Sequence, residues 1–170
     1  MSFVPYKGVP DEAAEFEVAV IANSAALAVG DAIVPAATGH TKAVTGAANN
    51  TTTILGVVTA ILNAGYGFTG LNSVTAGASN ETTPVYYVQY LPTSVPGVKY
   101  KATLSQAAGT TTNSDGIGSF NMSSSVNGKL DETSIALLTA TSKQFISLGL
   151  DPSDTAKLTV IGYWNNALSV

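Results

Sequence analysis

The chain has 170 residues, enough for one domain of ordinary size, with 11% charged residues, 45% hydrophobic residues, a net charge of −4 and one His. With no Cys and no Arg, it excludes disulfide frameworks, thiol nucleophiles, zinc-thiolate sites and guanidinium-based anion recognition. The lone His excludes multi-histidine metal centres, and acidity argues against binding nucleic acid, so no metal, cofactor or nucleic-acid partner is expected.

Residues 1–14 read as an N-terminal arm, with Phe3, Val4, Pro5 and Tyr6 at its head. They lack the basic cluster and apolar run of a signal peptide, and Asp11, Glu12, Glu15 and Glu17 follow at once. A strand is expected over 15–20, where Glu15, Glu17 and Ala19 alternate with Phe16, Val18 and Val20. Gly30-Asp31 marks a turn, and the short strand after it is expected to stop at Pro35. Another brief strand is expected at 42–45, then a polar loop at 49–53.

Residues 54–62 are apolar on both faces, which predicts a strand covered on both sides by core or by a partner. A short helix is the alternative; Gly56 and the β-branched content weigh against it. The run is about half the length that spans a bilayer as a helix, so a soluble protein with no membrane contact is expected. Residues 65–81 read as a long excursion or an extended hairpin. The strongest strand lies between Pro84 and Pro92 and carries Tyr86, Tyr87 and Tyr90.

Pro96-Gly97 is a turn signal. Residues 99–104 then set Lys99, Lys101 and Thr103 against Tyr100, Ala102 and Leu104, a strand with one wet face. Loop is expected over 107–118, a weak strand over 119–122, and a strand rather than a helix over 131–141. Two strands at 144–150 and 157–164, joined by the turn Asp151-Pro152-Ser153-Asp154, form a terminal hairpin. No composition shift divides the chain, so residues 15–170 are read as a single all-β domain.

Chemistry-bearing patterns are sparse. His40 sits in a turn-like setting without a nucleophile elbow, and reads as an exposed loop histidine rather than a general base. The acidic clusters at 11–17 and 151–154 lack the spacing of a carboxylate pair or a calcium loop and read as solvated faces. The glycines at 65–70 lack the Lys-Ser/Thr of a phosphate loop and read as turn glycines. Aromatics stand out instead. A strand presenting them to both faces suits either a two-sided core or a core plus an interface. Phe3, Tyr6, Tyr86, Tyr90 and Trp164 are the candidate interface residues.

Three stretches carry a resemblance: Val29-Gly30-Asp31-Ala32-Ile33-Val34, then Lys42-Ala43-Val44-Thr45-Gly46-Ala47, then Ile54-Leu55-Gly56-Val57-Val58. Together they resemble the small capsid decoration (cement) proteins of tailed bacteriophages, which often carry a Val-Gly-Asp-hydrophobic turn followed by such strands. Pro96-Gly97-Val98-Lys99-Tyr100-Lys101-Ala102 and Phe145-Ile146-Ser147-Leu148-Gly149-Leu150-Asp151-Pro152 look similar to the second half of such chains.

The resemblance implies a barrel- or tulip-like all-β domain on the outer capsid surface, made in the host cytoplasm and bridging major capsid protein subunits. It carries no catalytic residues, so no enzyme is expected. Low charge and abundant Thr, Ser and Ala fit many shallow contacts at low entropic cost. Self-association is expected, as a trimer ahead of a dimer or monomer. The rivals are a tail-tube or head-fibre protein, a carbohydrate-binding β-sandwich with Tyr163 or Trp164 on a platform, and an enzyme dependent on His40.

Overall fold

The computed structural model describes residues 3–7, 16–43, 54–109, 114–123, 128–134 and 144–165. Among them the regular structure is β, apart from one 3-10 turn at Glu132–Ser134. The strands are β1 (Phe3–Lys7), β2 (Glu17–Val20), β3 (Ala26–Ala28), β4 (Ala32–Ala36), β5 (Gly39–Lys42) and β6 (Gly56–Asn63). They continue with β7 (Ser73–Thr75), β8 (Tyr86–Pro92), β9 (Lys99–Thr103), β10 (Ile117–Phe120), β11 (Phe145–Leu150) and β12 (Thr159–Trp164).

Two five-stranded antiparallel sheets pack as a sandwich, the first in the order β1-β9-β12-β11-β10 and the second β2-β8-β6-β4-β5. The core between them joins Phe3, Tyr100, Phe120, Phe145, Val160 and Trp164 of the first sheet to Ala32, Val34, Val57 and Leu91 of the second.

The second sheet also rolls. Ile21, just past β2, bridges His40 of β5 in parallel, and the Ala22 N–H donates to the His40 carbonyl at 2.8 Å. This brings the two outer strands together and encloses a second core of Ala19, Ile21, Ile33, Val58, Ile61, Val88 and Tyr90. Leu27 and Ala76, from the β3–β7 ribbon and its edge, help to close it. Apolar residues on both faces of β6 are therefore covered by this chain itself: Val57 faces one core and Val58 the other. A register shift between Val58 and Ala60 rephases the strand so that Ile61 joins Val58 inside the roll.

The turn at Val29-Gly30-Asp31 ties the layers together. The Phe3 N–H donates to the Gly30 carbonyl at 3.0 Å, while Gly30 and Asp31 exchange backbone hydrogen bonds with Val58 at 2.8 and 2.9 Å. The Asp31 carboxylate is buried, 2.8 Å from Lys42 Nζ, and accepts from the Ala28 N–H.

Several expectations are corrected. The head of the arm is an edge strand, β1, paired with β9; an edge tolerates Pro5 because one side of its backbone has no ladder to complete. β4 runs through Pro35 to Ala36, since it pairs with β6 only through Ala32 and Ile33. In β2 the phase is reversed: Ala19 is buried and Val18 is exposed, because the rolled sheet's inner core lies on the Glu17–Ala19 face. β10 starts at Ile117, earlier than expected. Residues 132–134 turn instead of extending, with Asp131 Oδ1 accepting from the Thr133 N–H at 3.1 Å and its hydroxyl at 2.8 Å. Residues 8–15, 44–53 and 135–143, with the expectations placed on them, lie outside the described residues.

Candidate docking surface

Of the five candidate interface residues, three point into the protein. Phe3 is 0% exposed and Trp164 3%; their rings meet in the inter-sheet core. Tyr90 is buried inside the rolled sheet, where its hydroxyl donates to the Glu17 carboxylate. Burial first, and that bond second, hold the Tyr90 phenol protonated far above its ordinary range. The cause is common to all three: each side chain stands on a strand face that packs against one of the two cores. Tyr86 is half-buried against the inner core, and Tyr6 is exposed.

Tyr6 leads to a surface that aromatic counting alone does not reveal. In the first sheet Tyr100, Ala102, Val160, Trp164, Phe145 and Phe120 face the core. The alternating residues therefore form the opposite face. Register brings Val4 beside Lys101, Lys101 beside Ile161, Ile146 beside Tyr163 and Ile117 beside Leu148. Val4, Tyr6, Tyr163, Leu148 and Ile117 are 37% to 47% exposed, and Ile146 and Ile161 are half-exposed. Ser119 on the same face is fully buried, so the open strip runs from β1 to the Ile117 end of β10. Leu148 sits at a register shift between Ser147 and Gly149, where the Gly149 N–H donates to Ser147 Oγ at 3.1 Å.

Lysines gather at one end of this strip. Lys7, Lys99 and Lys101 gather on β1 and β9, three of the chain's seven lysines. Lys101 Nζ lies 2.6 Å from the Asp151 carboxylate and 4.9 Å from the Tyr6 ring centroid. Asp151 is therefore no solvated turn residue. The Lys101 bond, with the N–H and hydroxyl of Ser153 at 3.0 and 2.7 Å, pulls its pKa from 3.8 down to about 2. The result is an apolar band with a basic end on a chain of net charge −4.

A smaller exposed group stands on the loop after β6. Tyr66 and Phe68 are exposed, and the Tyr66 ring lies 4.8 Å from that of Tyr87. Asn63 Oδ1 pins this loop by accepting from the Gly65 and Gly67 N–H groups at 2.9 and 3.0 Å. The glycines that read as turn residues do serve a turn, and the aromatics between them are displayed by it. His40 lies on β5 and not in an exposed loop. Its Nδ1 is 3.2 Å from the Val20 carbonyl oxygen, at the seam of the rolled sheet. Of the two residues named for a sugar-stacking platform, Trp164 is internal and Tyr163 is exposed.

Among the described residues no group of three or more His, Cys, Asp or Glu is placed to hold a metal ion, and no helix is long and apolar enough to cross a membrane. No family model, no curated protein and no solved structure matches this chain.

Proposed function

We propose that this chain is a non-catalytic structural protein that decorates the outside of a tailed-bacteriophage capsid, seated on the shell through the outer face of the β1-β9-β12-β11-β10 sheet. The observation that carries the reading is the exposed apolar band from Tyr6 and Val4 through Tyr163 to Leu148 and Ile117. Its opposite face is already committed to the core, so among the described residues nothing is left to cover the band, which suits a second molecule. Burying it against a partner removes apolar area from water at about 25 cal/mol per Å2, and its rigid strands lose little entropy on docking. The sequence resemblance names the partner as the major capsid protein, and many copies on a lattice would turn a modest contact into firm retention.

The surface also states what the partner should offer. An uncharged strip should meet Leu148, Ile117 and Tyr163, with carboxylates opposite Lys7 and Lys99. Self-association into a trimer, ahead of a dimer or monomer, belongs to the same reading.

The test is co-sedimentation of the purified chain with capsids lacking it. The wild type should pellet with the shells. The double substitution Ile117→Lys and Leu148→Lys should stay in the supernatant while its melting temperature holds, because both side chains point away from the core. Equal pelleting of the double variant would defeat the reading. A wild type that forms long tubes on its own in solution would favour a tail-tube protein.

A further inference from the structure

The loop between β6 and β7 displays aromatic side chains away from the docking band. Tyr66 is 58% exposed and Phe68 70%, the largest exposure of any large apolar side chain among the described residues. Register sets them in a row. Leu62 pairs with Tyr87 of β8 on one side and bridges Phe68 on the other. Directly paired residues share a face, so Tyr87, Leu62 and Phe68 stand side by side across two strand spacings, about 10 Å. The Tyr66 ring leans on that of Tyr87, with centroids 4.8 Å apart. Leu62 is buried, so what the row shows to solvent is aromatic.

The loop is held from within. Besides the two bonds that Asn63 Oδ1 accepts, Thr69 ties back to the Ile61 carbonyl through its N–H at 3.1 Å and its hydroxyl at 2.9 Å. Tyr66 takes a left-handed backbone, φ 60°, which a residue other than glycine seldom adopts. Beside Phe68 runs a groove of about 210 Å3, lined also by Thr59, Ala60, Leu71 and Asn72. None of its lining is charged, and the chain carries no charged residue between Lys42 and Glu81. Polar capacity is present in neutral form. Asn63 and Asn72 are both exposed, and Asn63 Nδ2 has no hydrogen-bond partner among the described residues.

We propose that this row binds a neutral oligosaccharide, whose sugar rings stack their C–H faces on Phe68 and Tyr66 and whose hydroxyls bond the side-chain amides of Asn63 and Asn72. The negative face of an aromatic ring attracts C–H groups, and an amide both donates to and accepts from hydroxyls. A row spanning about 10 Å takes two sugar rings in succession. A lipid surface is a poorer match: interfacial binding draws on Lys and Arg beside the apolar group, and this segment has none. Holding the loop in place before binding limits the entropy lost on binding. The site shares no residue with the docking band, so its test is independent of the capsid reading.

The probes are cellohexaose and maltohexaose, titrated into the full-length labelled protein and followed in nitrogen–proton correlation spectra. At least one should move the Asn63 side-chain amide and the backbone amides of residues 65–72 along a saturable curve. Phe68→Ala and Tyr66→Ala should each weaken that sugar about tenfold. Both should keep the melting temperature, because the rings are exposed. Asn63→Asp keeps the acceptor that holds the loop and removes the donor hydrogens, so it should weaken binding while the protein stays as stable. No saturable shift with either sugar, or unchanged affinity when both rings are removed together, would overturn the proposal. So would phosphatidylcholine vesicles, or raised concentration of the chain itself, moving these amides where the sugars do not.

Discussion

The ring centroids of Phe3 and Trp164 lie 4.8 Å apart, with the planes tilted by 42°. Trp164 in turn meets Phe145 edge-on at 5.3 Å. A residue from the first strand and one from the last thus close the same aromatic cluster. β1 is consequently part of the sandwich core rather than an arm reaching for a neighbour. Replacing Phe3 with Ala should cost about 3–5 kcal/mol, as for other buried Phe side chains. Replacing Val4, which faces outward, should change stability by about 0.5 kcal/mol or less. Urea unfolding of the two variants measures both. Similar small losses would mean that β1 does not carry the core.

Gly162 marks the closest approach of β12 to its neighbours. A Cβ built there would press on the Ile146 carbonyl and stand 2.6 Å from Phe145 Cε1. Backbone and a buried ring cannot both retreat. Gly162→Ala should therefore destabilise by about 1–3 kcal/mol or more through overpacking. The same measurement reads it, and a neutral result would show that the β11–β12 pair has room.

Tyr100→Phe should move stability the other way. Its hydroxyl is buried with no partner in the protein, and such a group costs about 1–3 kcal/mol. The variant should be as stable as the wild type or about 1 kcal/mol more so. Calorimetry checks this; a clear loss would mean that the hydroxyl is satisfied in solution.

Acid should weaken the fold through Asp151. Its folded pKa is about 2, below the ordinary 3.8, so the folded state holds its proton less readily than the unfolded chain does. The stabilisation is then complete above the ordinary value, declines as pH falls from about 4 to about 2, and is gone below that. Asp151→Asn should flatten this part of the melting-temperature profile and lower the melting temperature near neutral pH. An unchanged acid limb in the variant would place the pH dependence elsewhere.

How far the sequence could be read follows from which signals are local. β8, β9, β11 and β12 were legible because alternation and flanking Pro or Gly mark strands whatever surrounds them. The two-sided apolar run at β6 announced cover on both faces, but not that the sheet rolls to supply one of them. That depends on Ile21 meeting His40, a contact between segments with no shared pattern. β3 escaped notice because Ala26-Leu27-Ala28 carries little strand propensity and is defined by pairing with Ser73–Thr75.

The candidate surface was legible only in part. Tyr6 was identified and is exposed, whereas Phe3, Tyr90 and Trp164 were identified and are internal. Their size marked them as important without saying which side of the strand was inside. Ile117 lay hidden at the end of a Gly/Thr/Ser-rich stretch. Leu148 keeps the ordinary alternation after the buried Phe145 and Ser147, but alternation alone does not say which face of the sheet is covered. Composition tells how much apolar surface a chain must bury, and register tells where the remainder comes out.

The most direct test is a cryo-electron-microscopy map of virions carrying this chain, read for the orientation of each subunit on the shell. The account predicts density for the chain outside the capsid, with Leu148, Ile117 and Tyr163 turned toward the major capsid protein and hidden from solvent. A map in which that sheet face looks out to solvent would contradict it, as would shells on which the chain is absent.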